Sequence, residues 1–242
     1  MPSLSYGAVL FDLDGTLIDS SQGIIASVRY ALRKVDPRDP PGSEDILLEV
    51  GKPLELILRD LGYQTDEAGT KMFVDTYRAH YAEHFKDQLK LYPGVDETLQ
   101  ILKDSGLRQA LVTTKHQLQA EFTAKACGLA RYFDYIHGFL EGRKHKPDPE
   151  PVLVSLDRLG VRPESALMVG DSELDMEAGR AAGTATCGVT YGFRPAELLM
   201  EYKPDFLISC ITDVVFLATS QGRREKLPSI SRMRRRFRTG HY

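Results

Sequence analysis

An apolar run, Ala8-Val9-Leu10-Phe11, leads directly into Asp12-Leu13-Asp14-Gly15-Thr16. Residues two apart in a strand point to the same side, so Asp12 and Asp14 are expected to present two carboxylates together at a strand's end. Like charges that close require a cation, or a proton on one of them. A hard divalent ion such as Mg²⁺ is the usual partner for a few such oxygens supplemented by water. Gly15 permits a sharp turn immediately after the pair. Taken alone, the same residues also describe a strand followed by an ordinary Asp-Gly turn. The rest of the chain decides between the two.

After Asp19-Ser20 the pattern turns helical. Ile24, Ile25, Val28, Ala31 and Leu32 recur at helical spacing, with Ser20 or Ser21 as the cap. A breaker follows at Asp36-Pro37-Arg38-Asp39-Pro40-Pro41-Gly42. Short helices are expected over 46–50 and 54–61, closed by Gly51 and Gly62. A longer amphipathic helix is expected over 67–86, with Met72, Phe73, Tyr77 and Tyr81 on one face. No strand is evident between Ser20 and Leu91. Beyond Leu91-Tyr92-Pro93-Gly94, strand and helix signals alternate, with strands over 109–112, 135–137, 166–169, 185–189 and 206–208. Such alternation implies an α/β fold, a doubly wound parallel sheet with helices on both faces.

Ligands of open parallel sheets sit at the carboxyl ends of the strands. Polar residues that follow apolar strands are therefore the candidates for chemistry. Leu111-Val112 runs into Thr113-Thr114-Lys115, where a hydroxyl can bond a phosphate oxygen without adding negative charge, although Thr is also common in strands. Lys146 lies in His145-Lys146-Pro147-Asp148-Pro149, where two prolines restrict the backbone just before a helix. A random loop lysine is usually solvated. Met168-Val169-Gly170 runs into Asp171-Ser172-Glu173-Leu174-Asp175. Acids there also suit a helix N-terminus, as caps.

Together these stretches resemble the four motifs of the haloacid dehalogenase superfamily in its phosphatase branch: Asp12-Leu13-Asp14-Gly15-Thr16, Thr113, Lys146-Pro147-Asp148-Pro149, and Gly170-Asp171-Ser172 through Asp175. The resemblance runs in order and spacing through Asp175, and more weakly to about residue 210. It implies a Rossmann-like core over 1–18 and 92–215, with 19–91 inserted as a mobile α-helical cap of the C1 kind. It implies that Asp12 is a nucleophile forming an aspartyl phosphate, and that Asp14 is the general acid/base. It implies that Thr113 binds phosphate beside Thr114, where many phosphoglycolate-phosphatase-like sequences carry Asn. Lys146 would steady the charge on Asp12 and on the phosphoryl group. Mg²⁺ would be held by Asp12, Asp171 and the Asp14 backbone carbonyl, with Asp175 in support through water and Gly170 letting the backbone pass close.

The activity so implied is Mg²⁺-dependent hydrolysis of a small phosphorylated metabolite, most like phosphoglycolate. Inorganic pyrophosphate, or phosphosugar mutase chemistry of the β-phosphoglucomutase type, would use the same residues. A mutase cap usually offers an Arg; here Lys52 and Arg59 are the available cations. Asp14 argues against the dehalogenase and phosphonatase branches, which lack the second aspartate.

Other patterns point elsewhere. His80-Tyr81-Ala82-Glu83-His84 fits the His-x-x-Glu-His of a zinc peptidase, but no third ligand is apparent and a solvated helix face is the expected reading. His116 and His145 adjoin motif residues and carry no assigned role. There is no Gly-x-x-x-x-Gly-Lys loop. Three widely spaced cysteines, Cys127, Cys187 and Cys210, suit a reducing compartment rather than a disulfide framework. With no secretory signal visible and no apolar run near the roughly 20 residues of a membrane span, a cytoplasmic location is expected.

The net charge of −3 hides an asymmetry. From Gly222 onward there are eight Lys/Arg and one Glu, a net +7 that leaves the remainder at −10. The tail over 222–242 suits a solvated terminus, or attachment to an anionic partner. If that tail were the working part, the chain would be a binding module rather than an enzyme.

Overall fold

β1 (Ala8–Phe11) is fully buried along its length because it lies inside the sheet, between two parallel neighbours. On one side is β4 (Arg108–His116), paired from Ala8↔Arg108 to Phe11↔Leu111; on the other is β6 (Ala166–Gly170), paired from Ala8↔Ala166 to Phe11↔Val169. The computed structural model describes residues 6–84 and 89–219. With β5 (Tyr135–Phe139), β7 (Ala185–Val189) and β8 (Phe206–Ile208), the sheet has six strands in the order β5-β4-β1-β6-β7-β8, all pairings parallel. The chain builds outward from β1 to β4 and β5, then crosses to β6, β7 and β8. That reversal opens a crevice at the carboxyl ends of the central strands.

Alternation along β1 divides the core. Val9 and Phe11 face a cluster shared with Leu99 and Leu102 of α5 (Val95–Asp104) and Val214 of α10 (Asp213–Ala218). Ala8 and Leu10 face a second cluster, with Val152 and Leu156 of α7 (Glu150–Leu159) and Ala178 of α8 (Glu173–Ala182). Helices thus cover both faces of the expected α/β sheet.

Between β1 and α5 stands an all-helical block: α1 (Ser21–Val35), α2 (Ser43–Leu47), α3 (Leu54–Asp60) and α4 (Glu67–His84). It has its own apolar cluster, in which Val28 and Leu32 of α1 meet Phe73, Tyr77 and Tyr81 of α4. The block joins the sheet through two short strands that the sequence reading did not anticipate, β2 (Ile18–Asp19) and β3 (Lys90–Leu91), paired antiparallel. Two-residue strands leave too little periodicity to read. Tyr92 N–H donates to Leu17 O (3.1 Å), tying the two connections together.

Other expectations change. Met72 is 43% exposed and lies off the buried face of α4. β4 runs to His116 rather than stopping at Val112, so Thr113, Thr114 and Lys115 belong to the strand. α6 (Gln117–Ala126), α9 (Ala196–Glu201) and α10 complete the α-helices among the described residues, the last two unforeseen because each has only six residues. Residues 85–88 and the basic tail, with its proposed anionic partner, lie outside the described residues. Among the described residues no helix is long and apolar enough to cross a membrane.

Because Leu10 is wholly enclosed beneath α7 and α8, Leu10→Ala should lower the unfolding free energy by about 2–5 kcal/mol, read by urea titration.

Candidate active site

β1 ends at Phe11, so strand alternation does not itself govern Asp12 and Asp14. The chain instead turns at once: Leu17 N–H and Ile18 N–H both donate to Leu13 O, and Gly15 N–H donates to Ile18 O. Gly15 adopts φ +84°, and a Cβ there would lie 2.3 Å from a carboxylate oxygen of Asp171. Glycine is required at this turn on both counts. Asp12 and Asp14 still line the same small cavity, but with different partners.

The Lys146 ammonium, 3% exposed, donates to Asp12 Oδ1 (2.7 Å), Asp175 Oδ1 (2.5 Å) and Val112 O (2.8 Å). A lysine has three N–H donors, and each has an acceptor here. Asp175 Oδ2 accepts from Ser172 N–H (3.1 Å) and from Ser172 Oγ (2.6 Å), an acid near the start of a helix reaching back to its N-cap. Asp171, at the end of β6, accepts from Thr16 Oγ1 (3.3 Å) and from Phe193 N–H (2.7 Å).

One oxygen from each of Asp12, Asp171 and Asp175 lies within 4.8 Å of the others, all three residues buried. Three buried carboxylates therefore meet beside one ammonium, which pairs with two of them, Asp12 and Asp175. Burial first, then Asp175 and Asp171, push the Asp12 carboxyl up to about 8 despite Lys146. Burial and Asp175 push Asp171 up to about 7. The Lys146 ammonium is held above its ordinary range: burial opposes its charge, but Asp12 and Asp175 outweigh that. Such a hard-oxygen set with excess negative charge fits a divalent cation like Mg²⁺.

Asp14 stands apart from the cluster. Its Oδ1 accepts from Ser20 Oγ (2.5 Å), and its Oδ2 pairs with Lys115 Nζ (3.1 Å). Ser20 thus occupies the N-cap position of α1 without a capping side-chain bond. Lys115 also donates to Tyr81 OH of α4 (3.2 Å) and lies over the Tyr81 ring. Burial disfavours its charge, yet Asp14 first and the tyrosines next hold it above the usual lysine range.

Two cavities meet at Asp14. The small one, about 20 Å³, is lined by Asp12, Thr113, Thr114, Lys146 and Asp171, among others, and roofed by Val50 and Gly51. The larger, about 330 Å³, lies between the helical block and the sheet; Lys115, His116, His145 and Lys52 line it beside Ile24, Leu54 and Phe139. Thr114 borders both. Thr113 Oγ1 accepts Lys115 N–H (3.2 Å). Lys52 is paired with Glu49 and Asp60, and Arg59 pairs with Asp60. His80 is engaged by Ser27 Oγ (2.9 Å) and stacked between Tyr30 and His84; it is part of the packing of α1 on α4 rather than a solvated face.

The structure thus gathers Asp12, Asp14, Thr113, Thr114, Lys146, Asp171 and Asp175 around one crevice. Sequence reasoning missed two cations. Lys115 had a signal, since it stands two after Thr113 in a strand longer than expected. Arg194 had none. It follows β7 in a loop and is 2% exposed, bonded to Glu173, Leu47 O and Val50 O.

The family model for haloacid dehalogenase-like hydrolases matches residues 9–189. The curated pyrophosphatase PpaX of Bacillus velezensis is 36% identical, over 87% of this chain and 95% of that protein. The PpaX pyrophosphatase of Bacillus cereus strain AH820 is 34% identical, over 91% and 100%. Among solved structures, one described as a "predicted phosphoglycolate phosphatase" from Haemophilus somnus superposes with a TM-score of 0.81 at 27% identity, covering 88% of this chain and 98% of that one.

Removing the ammonium by Lys146→Met leaves three buried carboxylates together. In EDTA it should cost about 3–5 kcal/mol of stability, read by urea titration. A pH dependence follows from the raised acids. A carboxyl whose folded value exceeds its unfolded 3.8 holds more protons folded than unfolded, so its contribution is lost as pH rises. In EDTA, thermal stability should therefore fall as pH rises from the unfolded 3.8 to about 8 and level off above that, and Asp12→Asn should flatten the slope.

Proposed function

The chain belongs to the haloacid dehalogenase-like hydrolases, and from that premise we propose that it is an Mg²⁺-dependent phosphatase acting on a small phosphorylated metabolite through an aspartyl phosphate on Asp12. The observation that carries this reading is the buried Asp12 carboxylate, held by Lys146 at 2.7 Å, beside Asp171 and Asp175 at the mouth of the sheet.

In this reading an Asp12 oxygen attacks phosphorus in line with the leaving oxygen. Lys146 offsets the repulsion between two anions and stabilises the charge that spreads over the phosphoryl oxygens. Thr113 and Thr114 supply hydroxyls to those oxygens in the small cavity. Asp14, held by Ser20 and Lys115, delivers a proton to the leaving oxygen and then accepts one from the water that attacks the phosphoaspartate. Bound Mg²⁺, held by Asp12, Asp171 and the Asp14 carbonyl with Asp175 in support, would supply further neutralisation of the phosphoryl charge. The helical block serves as the cap over 19–91. It encloses the larger cavity around the leaving group and limits bulk water.

Two substrates are favoured. Phosphoglycolate is supported by the solved neighbour described in those terms, and inorganic pyrophosphate by the PpaX relatives. The cytoplasm is the proposed location, in keeping with three free cysteines.

The test is phosphate release in Mg²⁺ over a panel of pyrophosphate, phosphoglycolate and hexose phosphates. The wild type should release phosphate from at least one. Asp12→Asn should fall to background, and Asp14→Asn should lose about 10²–10⁴-fold. Interconversion of hexose phosphates without release would replace the hydrolase with a mutase; a folded protein inert on every compound would overturn the enzyme reading.

A further inference from the structure

Arg194 carries a set of contacts that the chemistry above does not use. A buried guanidinium must have its N–H groups met. Half of those contacts are made within the core. Nε donates to Glu173 Oε2 (2.8 Å) and Nη2 to Glu173 Oε1 (3.3 Å), at the first residue of α8, two after Asp171 and two before Asp175. The others cross to the helical block: Nη1 donates to Leu47 O (2.6 Å) at the end of α2, and Nη2 to Val50 O (2.8 Å) just beyond it.

Of the neighbours of Arg194, Phe193 makes the same crossing and Tyr191 ties the loop to the core. Phe193 N–H holds Asp171, while the Phe193 side chain packs on the apolar cluster of the block. Tyr191 OH donates to Thr16 O (2.9 Å), and its ring lies 4.7 Å from that of Tyr92, beside the second connection to the block. A Cβ on Gly192 would lie 2.3 Å from Asp171 Cβ and 2.4 Å from Gly15 O, so this loop is pressed against the catalytic turn. Val50 and Gly51 roof the small cavity, and a Cβ on Gly51 would sit 3.0 Å from Leu174.

We propose that Arg194 is a positioning residue that clamps the 47–51 segment of the helical block over the phosphoryl cavity, so that seating of this roof and order in the Asp171 loop rise and fall together. The partners on the block are carbonyls, not carboxylates. On opening, they and the guanidinium can exchange each other for water without leaving an unpaired charge behind in the block. Glu173 stays with Arg194 on the core, so the clamp is reversible. A lysine could keep the charge beside Glu173 but lacks the planar fork that reaches both carbonyls.

The test compares wild type with Arg194→Met and Arg194→Lys by two independent measurements. The first is amide hydrogen exchange, resolved by segment in the absence of substrate. Exchange over 46–54 should quicken in both variants, more in Arg194→Met, while β1 and β6 stay protected. The second is steady-state kinetics on the best substrate of the panel. KM should rise about tenfold in Arg194→Met, the usual size for losing a charge-assisted clamp, with kcat changed far less, and Arg194→Lys should recover part of it. Unchanged exchange over 46–54 would overturn the proposal. So would exchange that quickens equally throughout the sheet, since that would make Arg194 a general folding residue. The kinetic arm rests on the phosphatase reading; the exchange arm needs no turnover, so failure of one reading is distinguishable from failure of the other.

Discussion

One ammonium set against three carboxylates governs this molecule. Lys146 reaches Asp12, Asp175 and the carbonyl of Val112 at once, and so pins together the end of β1, the middle of β4 and the start of α8. Charges removed from water are tolerated only when paired and fully hydrogen-bonded. The donors of Lys146 are all used, and Asp175 is further held by Ser172. What is left over is negative charge around Asp12 and Asp171. That surplus fits the site to a divalent cation.

The parallel sheet is what makes this crowding possible. Asp12 and Lys146 are 134 residues apart in the chain. Parallel strands bring their carboxyl ends to one edge, and the reversal of strand order at β1 leaves a crevice there. Apolar burial on both faces, Val9 and Phe11 on one and Leu10 on the other, keeps that edge rigid. The helical block is built separately, around Phe73 and Tyr81, and meets the core through short strands and a few polar bridges. Lys115 to Tyr81 and Arg194 to Leu47 and Val50 are two of those bridges. Each joins a cation fixed in the core to neutral acceptors in the block.

Much of this was legible beforehand because it is local. Apolar runs such as Ala8–Phe11 and Ala166–Val169 announce buried strands, and the acids that follow them fall at strand ends. The parallel α/β fold follows from their alternation with helices. What failed was short or context-dependent. β2 and β3 have two residues each. Met72 fits the helical period of α4 yet faces solvent, because the period alone does not say how wide the buried stripe is. Ser20 reads as a cap but bonds Asp14 instead.

The sequence by itself determined the fold class, the order of the strands' polar termini and the kinds of side chain available for chemistry, because each depends on residues near one another in the chain. Only the tertiary structure decided the pairings. It sent Asp12 to Lys146 and Asp14 to Lys115, made Asp175 a shared partner of Lys146 and Ser172, and drew Arg194 into the seam between block and core. Which cation meets which carboxylate depends on how distant segments approach at a buried seam, and the order of residues along the chain does not contain that distance.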